Sequence, residues 1–299
     1  MRVLVTGGSG FVGTRLKIHK PQWVYVSSKD FSLLDELEVA YMYEDIKPDA
    51  VVHLAARVGG IKDNAENQVE FFEHNTLMNL NVLKMGYEFG VKRILSSLST
   101  CAFPDKVASY PFSEEDFFTG PPAETNFSYG YTKRMLHVLS LSYRKQHGVN
   151  YSTFCPSNIY GPNDHFDTEK SHFVPALISK VSKMTDGDTL RLWGTGRPLR
   201  QQLYVDDLCE IIPKLLAHHN SDMPLIVAPD ENLSIDEMAK TLISQLNKNV
   251  KIVYNNTLDG QFRKDGKNNH LKNVLQEDFE FTKFKDGVMK TYNWYKETK

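Results

Sequence analysis

The chain has 299 residues, 41% of them hydrophobic and 24% charged, with a formal net charge of -2. That balance allows a sizeable core in one large or two closely packed domains and speaks against disorder. No basic stripe suggests a nucleic-acid partner, and no apolar run approaches the ~18 residues of a membrane helix, so an anionic ligand must be held by a local cluster.

Arg2–Thr6 reads as a buried strand. It runs into Thr6-Gly7-Gly8-Ser9-Gly10-Phe11-Val12-Gly13, which opens a helix. Glycines at 7, 10 and 13 permit a tight turn, close approach of backbone N–H groups to a pyrophosphate, and close helix–strand packing. A glycine triplet alone is a weak sign; its place between a strand and a helix supplies the context. The gap from Gly13 to Trp23 is short, so the first helix must be brief and the sheet edge there irregular.

Trp23–Val26 is the next strand, followed by Ser27-Ser28-Lys29-Asp30. An acid at this point holds a ribose 2′-hydroxyl and repels a 2′-phosphate, whereas hydroxyls and an ammonium suit the phosphate. Ser28 and Lys29 therefore favour NADP over NAD, with Asp30 one position beyond. Helical patterns at 35–47, 67–89 and 127–147 alternate with strands at Ala50–Leu54, Lys92–Ser96 and Tyr151–Cys155. This alternation predicts an α/β fold with a Rossmann-type, doubly wound parallel sheet. After Gly161 the rhythm loosens and Gly and Pro become frequent. The expected division is a main domain of residues 1–161 and 200–223, and a smaller, discontinuous substrate domain of residues 162–199 and 224–299.

Tyr129 and Lys133 stand at i and i+4 on one helix face. A phenol is a poor acid–base group at neutral pH, and a nearby cation favours its phenolate. Such a pair can pass a proton to a carbonyl oxygen as hydride arrives. Ser96-Ser-Leu-Ser99-Thr100-Cys101 follows the fourth strand, beyond whose carboxyl end ligands bind in such sheets. Three cysteines, Cys101, Cys155 and Cys209, form no metal-like pair and suit reduced thiols. With strand-like sequence from Arg2 leaving no room for a signal peptide, the expected location is cytoplasmic. No metal is expected.

The glycine loop, the Ser/Thr segment and Tyr-x-x-x-Lys, in that order, together with His53-Leu-Ala-Ala56 and Asn158-Ile-Tyr-Gly-Pro162, resemble the extended short-chain dehydrogenase/reductase family. Ser99-Thr-Cys101-Ala-Phe-Pro104, Val58-Gly-Gly60, Ser171-His172-Phe-Val-Pro175, Trp193-Gly-Thr-Gly196 and Asp259-Gly-Gln261 narrow the resemblance. They are similar to the branch that epimerises C3 and C5 of GDP-4-keto-6-deoxy-D-mannose and then reduces C4 with NADPH, giving GDP-L-fucose.

The resemblance implies NADP(H) over Gly7, Gly8, Ser9, Gly10, Phe11, Val12 and Gly13. It adds Ser28 and Lys29, the Leu54-Ala55-Ala56 turn, Lys133, and Pro156, Asn158 and Ile159. It implies Cys101 as base and His172 as acid for the epimerisation, Tyr129 as proton donor in the reduction, Lys133 lowering the Tyr129 pKa, and Ser99 polarising the C4 oxygen. Lys180, Trp193, Arg200 and Asp259 would hold the GDP-sugar. It also implies a homodimer through helices 67–89 and 127–147. Ala102-Phe103 departs from the bulkier pair common after the cysteine, without touching the proton-transfer groups.

Rival readings remain within the fold. A GDP-mannose 3,5-epimerase would carry Lys where this chain has His172, a 4,6-dehydratase would need an acid where it has Cys101, and a UDP-sugar 4-epimerase needs no Cys/His pair. A non-catalytic nucleotide sensor would need the glycine loop but not Tyr129, Lys133, Cys101 and His172 together.

Overall fold

The four-residue run Val3–Thr6 is buried at every position and forms β1, an inner strand of a parallel sheet, one place from its edge. The computed structural model describes the chain apart from residues 169–170, 257–258, 260, 277–278 and 299, with the backbone alone at 61–62. After β1 come α1 (Phe11–His19), β2 (Val24–Val26), α2 (Glu36–Ile46), β3 (Ala50–His53), α3 (Ile61–Glu66), α4 (Gln68–Glu88), β4 (Arg93–Ser97), α5 (Phe127–His147), β5 (Asn150–Pro156) and β6 (Asn158–Tyr160). The first helix is brief, as its spacing requires: Lys20 caps it and Pro21 cannot continue it. A short 3₁₀ turn, Thr100–Ala102, follows β4.

The second half contributes α6 (Phe173–Ser182), β7 (Thr189–Leu192), β8 (Leu199–Arg200), β9 (Gln202–Tyr204), α7 (Val205–His218) and β10 (Leu225–Val227). It ends with β11 (Leu233–Ser234), α8 (Ile235–Gln245), β12 (Lys251–Tyr254), α9 (Asn269–Leu275) and α10 (Phe284–Thr298). No helix of the described residues is long and apolar enough to cross a membrane.

Six parallel strands form the main sheet in the order β10-β5-β4-β3-β1-β2. The chain leaves β1 for β2 on one side and returns to β3 on the other, with Val5 opposite both Tyr25 and Val52. That reversal is a topological switch point, where a crevice opens at the carboxyl ends of the strands. Strand residues alternate between two cores. Leu4, Val51 and Ile94 pack with Val39, Met42, Val82, Leu83 and Leu136 of α2, α4 and α5. Val3, Val5, Val52, Leu95 and Phe154 pack with Leu16 of α1 and Leu208, Ile211, Ile212 and Leu215 of α7. Each fully buried aliphatic side chain stabilises the fold by about 1.5–3 kcal/mol.

A third core joins Val174, Leu177 and Ile178 of α6, Met238 and Leu242 of α8, and Phe284 and Val288 of α10. Two short parallel pairs, β6–β9 and β7–β12, and one antiparallel pair, β8–β11, surround it. Leu225–Val227, which the sequence boundary at 224 puts in the smaller unit, instead pairs with β5 as an edge of the main sheet. Its three residues are all buried there. Leu271 and Leu275 of α9 join the same core as α7.

Candidate active site

The glycine loop turns at the switch point. Gly7 has a φ of +74°, and a Cβ there would stand 2.8 Å from the Ala55 amide nitrogen. A Cβ at Gly13 would overlap the Gly7 carbonyl oxygen. Gly7 is confined by the Leu54-Ala55-Ala56 turn, which lies against the loop with the Ala55 N–H 3.4 Å from the Thr6 hydroxyl, and Gly13 by the loop's own backbone at Gly7 and Gly8. Gly10 caps α1 without a side-chain hydrogen bond, and no acid lies in the first turn. The opening N–H groups, including those of Phe11, Val12 and Gly13, thus face a cradle suited to an anion. Ser9 is exposed at its lip.

Beside it, β2 delivers Ser28 and Lys29 to solvent. Asp30 folds back on its own turn, accepting from the Ser27 N–H at 2.8 Å and the Ser27 hydroxyl at 2.7 Å. Those bonds hold its pKa below the ordinary carboxylate value. The acid is therefore engaged with its own turn, leaving the Ser28 hydroxyl and the Lys29 ammonium. Pro156 ends β5, and Asn158 and Ile159 open β6, placing all three at the same crevice edge. The glycine cradle and this donor set fit a dinucleotide carrying a 2′-phosphate.

The catalytic candidates converge from separate elements. Ser99 accepts the Cys101 N–H at 3.2 Å and starts the 3₁₀ turn that points the thiol inward. Behind that turn, Phe103 stacks on Phe112 at 4.2 Å between centroids, and Arg134 Nε donates to the Ala102 carbonyl at 2.6 Å. In front, Gly130 lets the turn lie directly on α5: a Cβ there would be 2.6 Å from the Cys101 carbonyl oxygen. Tyr129, one residue earlier, feels both the Ser99 hydroxyl and the charge of Cys101.

One expectation needs correction. Burial first, and then the Cys101 charge, push the Tyr129 phenol above its ordinary pKa, against the pull of Ser99. Lys133 does not offset this. Its Nζ donates to the Ser97 carbonyl at 2.8 Å and lies 5.7 Å from the centre of the Tyr129 ring. Burial takes Lys133 itself down to about 8. The ammonium is spent on the end of β4 and on the ring, not on the phenol oxygen.

Cys101 is half-buried, while Cys155 and Cys209 are fully buried. Burial pushes its thiol up. The charge and hydrogen bond of Lys264, a hydrogen bond from Ser99 and the charge of Arg200 outweigh that and bring the pKa below the usual value. Lys264 Nζ stands 3.0 Å from Cys101 Sγ. Sequence reasoning missed this lysine: 163 residues separate it from the thiol, and its only local sign is a basic pair before Asp265. His172 precedes α6 and offers no cap hydrogen bond. It opens to the cleft, yet is crowded enough that desolvation, then the charge of Lys264, pull its pKa below the ordinary imidazole value. Both members of the expected acid–base pair thus feel one cation.

The expected sugar-nucleotide residues divide. Arg200 on β8 acts electrostatically on both Cys101 and Asp259. Asp259 uses both oxygens on Thr195, accepting from its N–H at 2.8 Å and its hydroxyl at 2.7 Å, and so braces the turn after β7. Trp193, on that turn, is 85% exposed and stands ready to cover a flat ligand. Lys180 lies in the last turn of α6, eight residues beyond His172, and no hydrogen bond joins it to the cluster among the described residues.

Comparisons with known proteins agree with this geometry. Residues 3–227 match the model of the NAD dependent epimerase/dehydratase family. A GDP-L-fucose synthase of Dictyostelium discoideum is 36% identical over 98% of this chain and 94% of its own length. One from Escherichia coli is 28% identical over 99% of this chain and 97% of its own. A crystal structure of a GDP-L-fucose synthetase from Naegleria fowleri bound to NADP superposes with a TM-score of 0.91 at 34% identity, covering 99% of this chain and 92% of that one.

Proposed function

The chain belongs to the NAD dependent epimerase/dehydratase family, and from that membership and its pocket we propose that it converts GDP-4-keto-6-deoxy-D-mannose to GDP-L-fucose by 3,5-epimerisation and NADPH-dependent reduction. The observation that carries this reading is the thiol of Cys101, held half-buried against a lysine ammonium beside a Ser99–Tyr129 pair. A reductase alone has no use for an activated thiol. A 4,6-dehydratase would require an acid there.

In this reading NADPH supplies the hydride that reaches C4. Cys101 removes the acidic proton at C3 or C5 from one face of the sugar, and His172 returns one to the other face. Ser99 donates a hydrogen bond to the C4 oxygen, and Tyr129 protonates it. Because burial holds the phenol protonated, Tyr129 begins as the acid that a reduction needs. Lys133 anchors the end of β4 and lies where a nicotinamide ribose would pass. Arg200 and Lys180 neutralise diphosphate oxygens, and Trp193 walls the site. Asp259 braces the Trp193 turn while offering lone pairs to sugar hydroxyls.

We place this activity in the cytoplasm, in keeping with three free thiols. The functional division follows the cores: the main sheet holds the dinucleotide, and the unit built on α6, α8 and α10 holds the sugar nucleotide. A homodimer through α4 and α5 is supported by an exposed apolar stripe on those helices. Incubation with NADPH and the GDP keto sugar, with product stereochemistry read by NMR, should give GDP-L-fucose. NADPH oxidation with the UDP keto sugar and none with the GDP compound would overturn the substrate assignment.

A further inference from the structure

We propose that Lys264 is the positioning residue that keeps Cys101 as a thiolate before substrate arrives, and that it remains the counter-ion while negative charge passes from sulfur to sugar. The second part rests on the epimerase reading above; the first does not. Only a thiolate can take a proton from carbon, and a thiolate at neutral pH needs a cation at hand.

The groups around the thiol leave Lys264 in that role. From the Ser99 turn comes one hydrogen bond, from α5 the phenol of Tyr129, and from β5 the thiol of Cys155. Burial holds the last two neutral. Lys133 on α5 is bonded to the Ser97 carbonyl, and His172 before α6 is an imidazole whose pKa is lowered. Arg200 on β8 contributes charge, but its Nη1 is bonded to the Leu199 carbonyl. Lys264 alone among the described cations touches the sulfur, at 3.0 Å.

The lysine is also held in place. Its segment is stitched to the chain around Phe112, whose N–H donates to the Asp265 carbonyl at 2.9 Å and whose carbonyl accepts from the Lys267 N–H at 2.8 Å. Gln201 clamps Gly266 from the other side, accepting its N–H at 2.9 Å and donating to its carbonyl at 3.1 Å. The neighbouring carboxylate does not compete, because Asp265 accepts from Arg263 Nε at 2.8 Å. Among the described residues, the sulfur is the one hydrogen-bond partner of the Lys264 ammonium.

The chemistry balances around this cation. The sugar C–H bond breaks, an S–H bond forms, and the electron pair delocalises onto the C4 oxygen as an enolate. The negative charge beside Lys264 moves but is not lost. The same ammonium makes a protonated His172 a stronger acid while shrinking the fraction protonated at neutral pH, so one fixed charge acts on both the base and the opposing acid.

The test uses Lys264→Met, Lys264→Gln and Lys264→Arg in the full-length protein without substrate. The rate of iodoacetamide alkylation at Cys101 is followed against pH by peptide mass spectrometry, with buried Cys155 and Cys209 as internal references. Met and Gln should move the alkylation midpoint to higher pH and slow the reaction at pH 7 by about tenfold, while Arg restores most of it. NADPH affinity should not change. With the GDP keto sugar in deuterated water, the pH profile of C3/C5 exchange should move the same way. Alkylation profiles that superimpose on the wild type in both neutral variants would overturn the proposal. A shifted alkylation profile with no exchange even in the wild type would sink the epimerase reading and leave the ion pair standing.

Discussion

Tyr129 and Lys133 show how a spacing read correctly can still mislead about charge. The i,i+4 relation is local, so the helix brings both side chains to one face as expected. What each then touches is decided by the sheet beneath. Lys133 is 3% exposed and carries a pKa of about 8 against an ordinary 10.5. Folding therefore disfavours its charged form. Its penalty is absent above the unfolded value, grows as pH falls from 10.5, and is complete below about 8. Lys133→Met should accordingly be more stable than the wild type at pH 7, by on the order of 2 kcal/mol less the lost bond to Ser97, and that gain should vanish by about pH 10. Reduction should fall by roughly a hundredfold or more. Thermal melts of the two proteins at both pH values decide it; a variant that melts lower at pH 7 would mean the ammonium stabilises the fold. Cys101 is singled out by the resemblance of its Ser99-Thr-Cys101 segment, whereas Lys264 is not, because no local pattern links it to the thiol.

At the level of elements, the junction of the Cys101 turn with α5 decides whether the thiol and phenol share a pocket. A glycine in a helix normally costs up to about 1 kcal/mol relative to alanine. At Gly130 the sign reverses, since a Cβ would meet the Cys101 carbonyl at 2.6 Å and the Pro122 Cβ at 2.7 Å. Gly130→Ala should thus cost about 1–3 kcal/mol and push the turn off the helix. C3/C5 exchange should drop while NADPH affinity, set by the distant glycine loop, stays the same. Equal losses in both would place the damage in the sheet rather than at the junction. The strands and helices expected in the first 155 residues lie within a residue or two of the observed ones, because periodicity is a local property, whereas the looser second half is read without element bounds. The membership of β10 was not legible: three apolar residues fit any buried strand, and only the free edge of β5 selects their partner.

For the molecule as a whole, the outer faces of α4 and α5 carry apolar side chains that the described residues leave exposed. Val69, Phe72, Leu77 and Leu80 on α4 are exposed, as are Phe127, Met135 and Val138 on α5. The proposed homodimer would bury this surface, with the two adjacent helices packed against their own copies about a two-fold axis. Leu80→Arg combined with Val138→Arg should convert a dimer into a 34.2 kDa monomer in sedimentation equilibrium, with the melting transition retained. A wild-type chain already monomeric at micromolar concentration would count against the dimer. The sequence by itself determined the alternating layers, the glycine cradle, and the pairing of Tyr129 with Lys133, because each depends on residues a few positions apart. Only the tertiary structure decided that Lys264 meets Cys101 and that Leu225–Val227 closes the main sheet. Those outcomes depend on burial and charge shared by segments far apart in the chain, and no local spacing carries that information.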